Sequence, residues 1–312
     1  MTVASQNTPE LRLGTRRSPL AMAQAEETRD RLCAAHGWPQ SAVELVPVVA
    51  SGDRIQDRPL AEIGGKALWT RELDAWLAEG RIDVAVHSMK DVETLRPDSL
   101  TIAAILPRAD KRDVLVGAAS LADLAAGAKV GTSAPRRAAQ ALHARPDIEV
   151  VMFRGNVATR LGKLEAGEAD ATFLAKAGLD RLGEDAGIPL AVDAWLPAPA
   201  QGAIGLECRT DDSRTRQLLA AIDDKPSHAE VLAERAVLEG LGGTCHSPIA
   251  MLSTCRGTMI DLRCALYSPD GGDRVEGEAT MSVDDLTGAK ALAADLLSRA
   301  PASIRSVFEA TR

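Results

Sequence analysis

At 312 residues the chain is about twice the size of a typical domain, so more than one hydrophobic core is expected. A hydrophobic share of 46% and a charged share of 26% exclude a disordered chain beyond roughly the first ten residues, and a net charge of −8 excludes a general nucleic-acid binder, which needs a basic face. Any anion site must therefore be a local cluster.

Five cysteines, Cys33, Cys208, Cys245, Cys255 and Cys264, with no C-x-x-C pair, signal neither a disulfide framework nor a metal site. The start of the chain shows no charged segment followed by an apolar run, and no apolar stretch is long enough for a bilayer. A reducing, cytoplasmic setting away from membranes is expected.

A short strand over 11–14 runs into Thr15, Arg16, Arg17, Ser18 and Pro19, and an Ala-rich helix follows to about Ala35. Ser18 reads as its N-cap and Pro19 as its first residue. Gly37 closes the helix, and residues 43–49 supply a second strand, which makes a βαβ-like unit. Residues 52–65, rich in charge, Pro and Gly, read as a mobile loop with Lys66 at its end. A helix then places Trp69, Leu73, Trp76 and Leu77 on one face and stops at Gly80. Ile82, Val84 and Val86 alternate with Asp83, Ala85 and His87, a strand that delivers Ser88, Met89, Lys90 and Asp91 at its C-terminal end. In open α/β sheets that end faces the ligand crevice.

Pro and mixed charges over 107–113 mark a crossing between domains, after which the opening device recurs. Lys129, Val130 and Gly131 end a strand, and Thr132, Ser133, Ala134, Pro135, Arg136 and Arg137 enter a helix. The two Gly-Thr turns suggest two similar α/β domains that face each other with anion-binding helix starts. A strand over 149–153 leads through Arg154, Gly155 and Asn156 to a helix with Arg160, and a further strand over 170–175 leads to a helix ending at Leu182. Pro197, Pro199, Gln201 and Gly202 mark a second crossing, and Ile204, Leu206 and Cys208 alternate as a strand that returns to the first domain. A helix over 229–241, strands near Met251 and over 260–267 and 274–281, and a last helix over 286–300 make a small α+β domain. The division expected is 1–106 with 203–220, then 107–202, then 221–312.

Arg16, Arg136, Arg137, Arg154 and Arg160 each lie on or just after a turn that opens a helix, where guanidinium forks and free backbone N–H groups suit carboxylates or phosphates. Asp91 suits a general acid or base, or a partner for a substrate nitrogen cation; a helix N-cap paired with Lys90 is the plainer alternative. Cys245 follows a Gly-Gly pair, which favours access to its thiolate, whereas the other cysteines fall in regular elements. A hinged anion-binding module without catalysis is the reading from a different class.

Five segments in order carry a resemblance: VAVHSMKD at 84–91, GTSAPRR at 131–137, RGNVATRL at 154–161, QGAIGLECR at 201–209 and GGTCHSP at 242–248. Together they resemble the porphobilinogen deaminase family over nearly the whole chain. The resemblance implies two periplasmic-binding-protein-like α/β domains around a cleft and a small C-terminal domain whose cysteine, here Cys245, holds a dipyrromethane cofactor through a thioether. It implies a monomeric transferase that joins four porphobilinogen units with loss of ammonia and releases the linear hydroxymethylbilane. By position, Asp91 matches the catalytic aspartate. Ser18, Lys90, Asp91, Thr132, Ser133, Arg136, Arg137, Arg154 and Gly155 match cofactor contacts, and Arg16, Ser18, Lys66, Arg154 and Arg160 match substrate contacts. Thr244 and Ala200 stand where many relatives have Gly, which is tolerable if the backbone there keeps to ordinary φ/ψ regions. Glu62 stands where some relatives carry Lys, which leaves Lys66 as the basic loop contact.

Overall fold

The computed structural model describes residues 9–48, 70–244 and 247–309. The expected loop over 52–65, with Glu62 and Lys66, as well as Trp69, Cys245 and His246, lies outside the described residues.

Two five-stranded mixed sheets and one three-stranded antiparallel sheet organise the chain. In the first sheet β1 (Leu11–Arg16) pairs in parallel with β2 (Val43–Val48) and β3 (Val84–Ser88). The order continues through β10 (Ile204–Arg209), antiparallel to β3, to β4 (Leu100–Ile105). In the second sheet β6 (Lys129–Gly131) lies between β7 (Glu149–Val151) and β8 (Ala171–Ala175), all parallel. There β5 (Asp113–Val116) runs antiparallel to β8 and pairs with β9 (Ile188–Pro189). Each sheet is thus three adjacent parallel strands, then an antiparallel strand that the chain enters just after a crossing, then an edge strand antiparallel to that one. This shared plan is the physical basis of the repeated Gly-Thr turn, since β1 and β6 hold the same place in their sheets.

The repeat also explains its glycines. A Cβ at Gly14 would come within 2.3 Å of the Ile82 side chain, and one at Gly131 within 2.4 Å of the Phe153 ring. Both strand ends run under a large buried side chain that leaves no room for an alanine methyl.

Helix α1 (Pro19–His36) starts as read, with the Ser18 hydroxyl accepting from the Ala21 N–H at 3.3 Å, and ends on Gly37 at φ 65°. Helix α2 (Arg71–Ala78) buries Leu73 and Leu77, while the half-buried Trp76 carries the Arg81 guanidinium on its ring. The alternation read over 82–87 is only partly kept. Ala85 and His87 are buried along with Val84 and Val86, because β3 lies between β1 and β10 and is covered on both faces.

Helices α3 (Pro135–Ala144), α4 (Val157–Glu165) and α5 (Lys176–Leu182) follow β6, β7 and β8, as the pattern predicts. Helix α6 (Ser213–Ala220) is an addition to the sequence reading, capped by the Asp212 carboxylate on the Thr215 N–H at 2.9 Å. Helix α7 (Lys225–Leu241) is about one turn longer at its start than expected, with Asp224 as N-cap and Pro226 near its first turn.

Strands β11 (Ile249–Arg256), β12 (Met259–Tyr267) and β13 (Arg274–Ser282) form the third sheet, covered by α7 and α8 (Thr287–Arg299). A last helix α9 (Ala302–Glu309), beyond the expected end at 300, buries Ile304 and Phe308 in the same core. Each such side chain contributes about 1.5–3 kcal/mol of burial.

Candidate active site

The C-terminal ends of β1, β3, β6 and β7 open on one cleft of about 710 Å³, closed on its third side by α7 and the start of β11. Among the described residues it is lined by eight basic side chains, Arg16, Arg17, Lys90, Arg136, Arg137, Arg154, Arg160 and Arg235, and two acidic ones, Asp91 and Glu184. In a chain of net charge −8 this is a concentrated positive field.

Lys90 and Asp91 sit in a single 3-10 turn, Met89–Asp91, which continues into extended backbone at Val92. Asp91 ends that turn, so the alternative of a helix N-cap is set aside. Burial pushes the Lys90 ammonium down to about 8; the Asp91 charge opposes that shift, and Arg137 and Arg160 add to it. Burial likewise lowers the Arg160 guanidinium to about 10, with Arg137 and Arg154 acting in the same direction and Asp91 against it. Lys90 and Asp91 from the first sheet and Arg137, Arg154 and Arg160 from the second therefore share one electrostatic environment.

Arg136 and Arg137 line the cleft and are only 5% exposed. Both are held by Asp113 at the start of β5. Arg136 Nη1 lies 2.8 Å from Oδ2, and Arg137 donates from Nη2 to Oδ1 at 2.7 Å. Trp195 Nε1 and Gln201 Nε2 donate to the same carboxylate at 2.8 and 2.9 Å. Burial alone would raise the Asp113 carboxyl, but the two guanidiniums outweigh it and hold it far below the usual carboxylate range. One buried carboxylate thus fixes two arginines with part of their charge left for a ligand. Asp113 was invisible as a site residue in sequence because it reads as the last charge of a mixed linker.

The other expected residues divide. Arg16, Ser18, Ser133, Arg154 and Gly155 line the cleft together with the groups above. Thr132 does not: it is 2% exposed, and its hydroxyl accepts from the Ala134 N–H at 3.1 Å. Cys245 and Lys66 lie outside the described residues, while Thr244 and Ser247, on either side of positions 245 and 246, line the cleft.

Behind the Lys90–Asp91 turn stands a buried ionic hub absent from the sequence reading. Glu207 on β10 accepts from His87 Nε2 at 2.9 Å and from Arg96 Nε at 2.8 Å, so one carboxylate ties residues four before and five after Asp91. Burial would raise Glu207, but His87 and Arg96 bring it down to about 2.

At the second crossing Ala200 has φ 56°, the only non-glycine residue at positive φ among those described. The condition under which an alanine is easily tolerated there is therefore not met. Its N–H is held by the buried Glu234 carboxylate on α7, which locks the strained conformation.

The chain matches a family model described as porphobilinogen deaminase, dipyromethane cofactor binding domain, over residues 11–217, and a second, porphobilinogen deaminase C-terminal domain, over residues 228–300. It is 55% identical over 305 residues to a porphobilinogen deaminase of Sphingopyxis alaskensis, covering 96% of each chain. To a porphobilinogen deaminase of Paracoccus denitrificans it is 50% identical over 297 residues, covering 94% of this chain and 95% of that one. Likeness to solved structures is slight. A periplasmic substrate-binding protein of an ABC transporter from Coxiella burnetii superposes with a TM-score of 0.41 at 16% identity, over 72% of this chain and 94% of that one.

Proposed function

The chain belongs to the porphobilinogen deaminase family, and from that premise we propose how its cleft performs the family's reaction. The reaction joins four porphobilinogen units head to tail with loss of ammonia and then releases the linear tetrapyrrole by hydrolysis, a step of tetrapyrrole biosynthesis. A dipyrromethane cofactor, when bound, supplies the pyrrole carbon to which the first unit is joined.

The residues present fit such a group. Every pyrrole unit carries two carboxylates and an N–H donor, and the cleft offers many cationic donors with only two carboxylates among the described lining residues, Asp91 and Glu184. Cys245 would hold the cofactor by its sulfur, and Arg136 and Arg137, preset by Asp113, would take its carboxylates together with Ser133.

Arg16 and Ser18 from the first sheet and Arg154 and Arg160 from the second would hold the carboxylates of the incoming unit. Asp91, half-buried beside Lys90, stabilises the positive charge that develops on the pyrrole nitrogen as ammonia departs. It then accepts the proton released when the new carbon–carbon bond forms. Lys90, near 8, holds a carboxylate while charged and keeps the Asp91 carboxylate oriented.

The observation that carries this reading is the convergence of Lys90 and Asp91 with Arg137 and Arg160 across the cleft. No helix of the described residues is long and apolar enough to cross a membrane, and we take the protein to work as a monomer in the cytoplasm. The test is ammonia release from porphobilinogen by the purified protein. Release that disappears in Asp91→Asn supports the proposal, whereas tight binding of porphobilinogen with no ammonia would make the protein a binding module and overturn it.

A further inference from the structure

The turn that carries Asp91 and the loop that carries Cys245 come from sequence segments about half the chain apart, yet two side chains link them directly. Arg235 on α7 donates through Nη2 to the carbonyls of Glu93 and Thr94, at 2.6 and 2.8 Å, gripping the backbone just past Asp91. Thr94 Oγ1 in turn donates to the carbonyl of Gly243 at 3.0 Å. Gly243 follows the left-handed cap of α7 at Gly242, φ 68°, and is tied back by its N–H to the Leu238 carbonyl at 2.9 Å. Thr244 and Ser247 are bonded to each other in both directions, Thr244 N–H to Ser247 Oγ at 3.2 Å and Ser247 N–H to the Thr244 carbonyl at 3.0 Å.

The pin has a mechanical reason. The turn at Asp91 closes on a long bond, Val92 N–H to the Met89 carbonyl at 3.3 Å, and two consecutive glycines precede Thr244. Arg235 ties the turn to α7, and Thr94 carries that tie across to Gly243 beyond the helix end. Transfer between two groups falls off steeply with misplacement of the order of 1 Å.

We propose that Thr94, seated by Arg235, is a positioning residue whose hydrogen bond to the Gly243 carbonyl sets Gly243 and Thr244, which lead into position 245, in register with Asp91. The inference rests on the reading that Cys245 carries the cofactor. Because the bond joins the first sheet's catalytic turn to the C-terminal unit, its loss alters registration while leaving every charged contact in the cleft in place.

Two variants separate positioning from packing: Thr94→Val removes the donor at nearly constant shape, and Thr94→Ser keeps it. Three quantities are measured for wild type and both variants. These are the rate at which cofactor-free protein given porphobilinogen gains its adduct by intact mass, kcat and KM for porphobilinogen, and Tm. Thr94→Val is expected to gain the adduct and to turn over about fivefold more slowly, the size of one lost hydrogen bond of roughly 1 kcal/mol. KM should be unchanged within about twofold and Tm within about 2 °C, and Thr94→Ser should restore both rates. Wild-type rates in Thr94→Val overturn the proposal, as do equal losses in both variants that follow Tm. A wild-type protein that turns over with no adduct on Cys245 overturns the underlying reading and the pin with it. An adduct present in all three with unchanged rates overturns the pin alone.

Discussion

Replacing Asp113 by Asn tests the preset arginine pair from both sides. The carboxylate is fully buried and accepts from Arg136, Arg137, Trp195 and Gln201 at 2.7–2.9 Å, so it neutralises two buried guanidiniums at once. An amide of the same shape presents an N–H₂ to groups that are themselves donors and carries no charge. Removing the charged partner of a buried pair costs roughly 3–5 kcal/mol. For 312 residues that corresponds to a fall in Tm of roughly 5–8 °C if the chain melts cooperatively. If cofactor carboxylates sit on Arg136 and Arg137, they supply part of the missing charge, so the loss should be smaller in protein that carries the adduct. Thermal melts of Asp113→Asn are therefore compared in the wild-type and Cys245→Ser backgrounds, with intact mass reporting adduct occupancy. A larger loss in the Cys245→Ser background is expected. Equal losses would remove the two arginines from the cofactor site, and a loss under about 1 kcal/mol in both would refute the ion-pair argument itself.

Asp91→Asn should fold with an unchanged melting curve and lower kcat by about a hundredfold or more, because the amide can neither take the proton nor oppose the pyrrole cation; stopped-time ammonia assays measure it. Lys90, at about 8, loses its proton as pH rises through that value, so KM for porphobilinogen should climb above pH 8, and Lys90→Arg should abolish that limb. The stability effect has the opposite sign. The folded pKa lies below the ordinary 10.5, so the charged lysine costs stability below pH 8, and the cost fades between 8 and 10.5, visible as a convergence of wild-type and Lys90→Met Tm. Ala200→Gly relieves a left-handed backbone costing about 1–2 kcal/mol at the expense of about 0.5–1 kcal/mol of chain entropy, so urea midpoints should stay level or rise; a clear drop would show that φ 56° is not strained. Porphobilinogen affinity should weaken with added salt, and titrations at two ionic strengths that agree would count against carboxylate pairing.

Much of this was legible because local chemistry repeats. Ser18 before Pro19, Gly37 after His36 and the paired Gly-Thr turns each encode a boundary within a few residues, and the structure holds all of them. Lys90 and Asp91 were readable because a strand ending in charges has one obvious place to put them. What stayed hidden is long-range. Asp113 earns its role only when α3 folds back over β5, and Glu207 only when β10 lies against β3 and faces Arg96. Arg235 lies on an amphipathic helix where a solvated arginine is the ordinary reading, and no local signal aims it at the carbonyls of Glu93 and Thr94. Helices α6 and α9 escaped notice because each is eight residues long and draws its stability from burial of one or two side chains on a distant core. Thr132 matched a cofactor contact by position, and the structure shows it buried with its hydroxyl accepting from the Ala134 N–H.

The most direct measurement is the intact mass of the purified protein before and after a brief exposure to porphobilinogen, alongside Cys245→Ser. A mass two pyrrole rings above that of the bare chain, rising in steps of one ring on exposure and reverting after release, is predicted for the wild type, with no increment in Cys245→Ser. A wild-type protein that forms tetrapyrrole at the unmodified mass, or a Cys245→Ser protein that keeps the increment, would contradict a cofactor anchored beside this cleft.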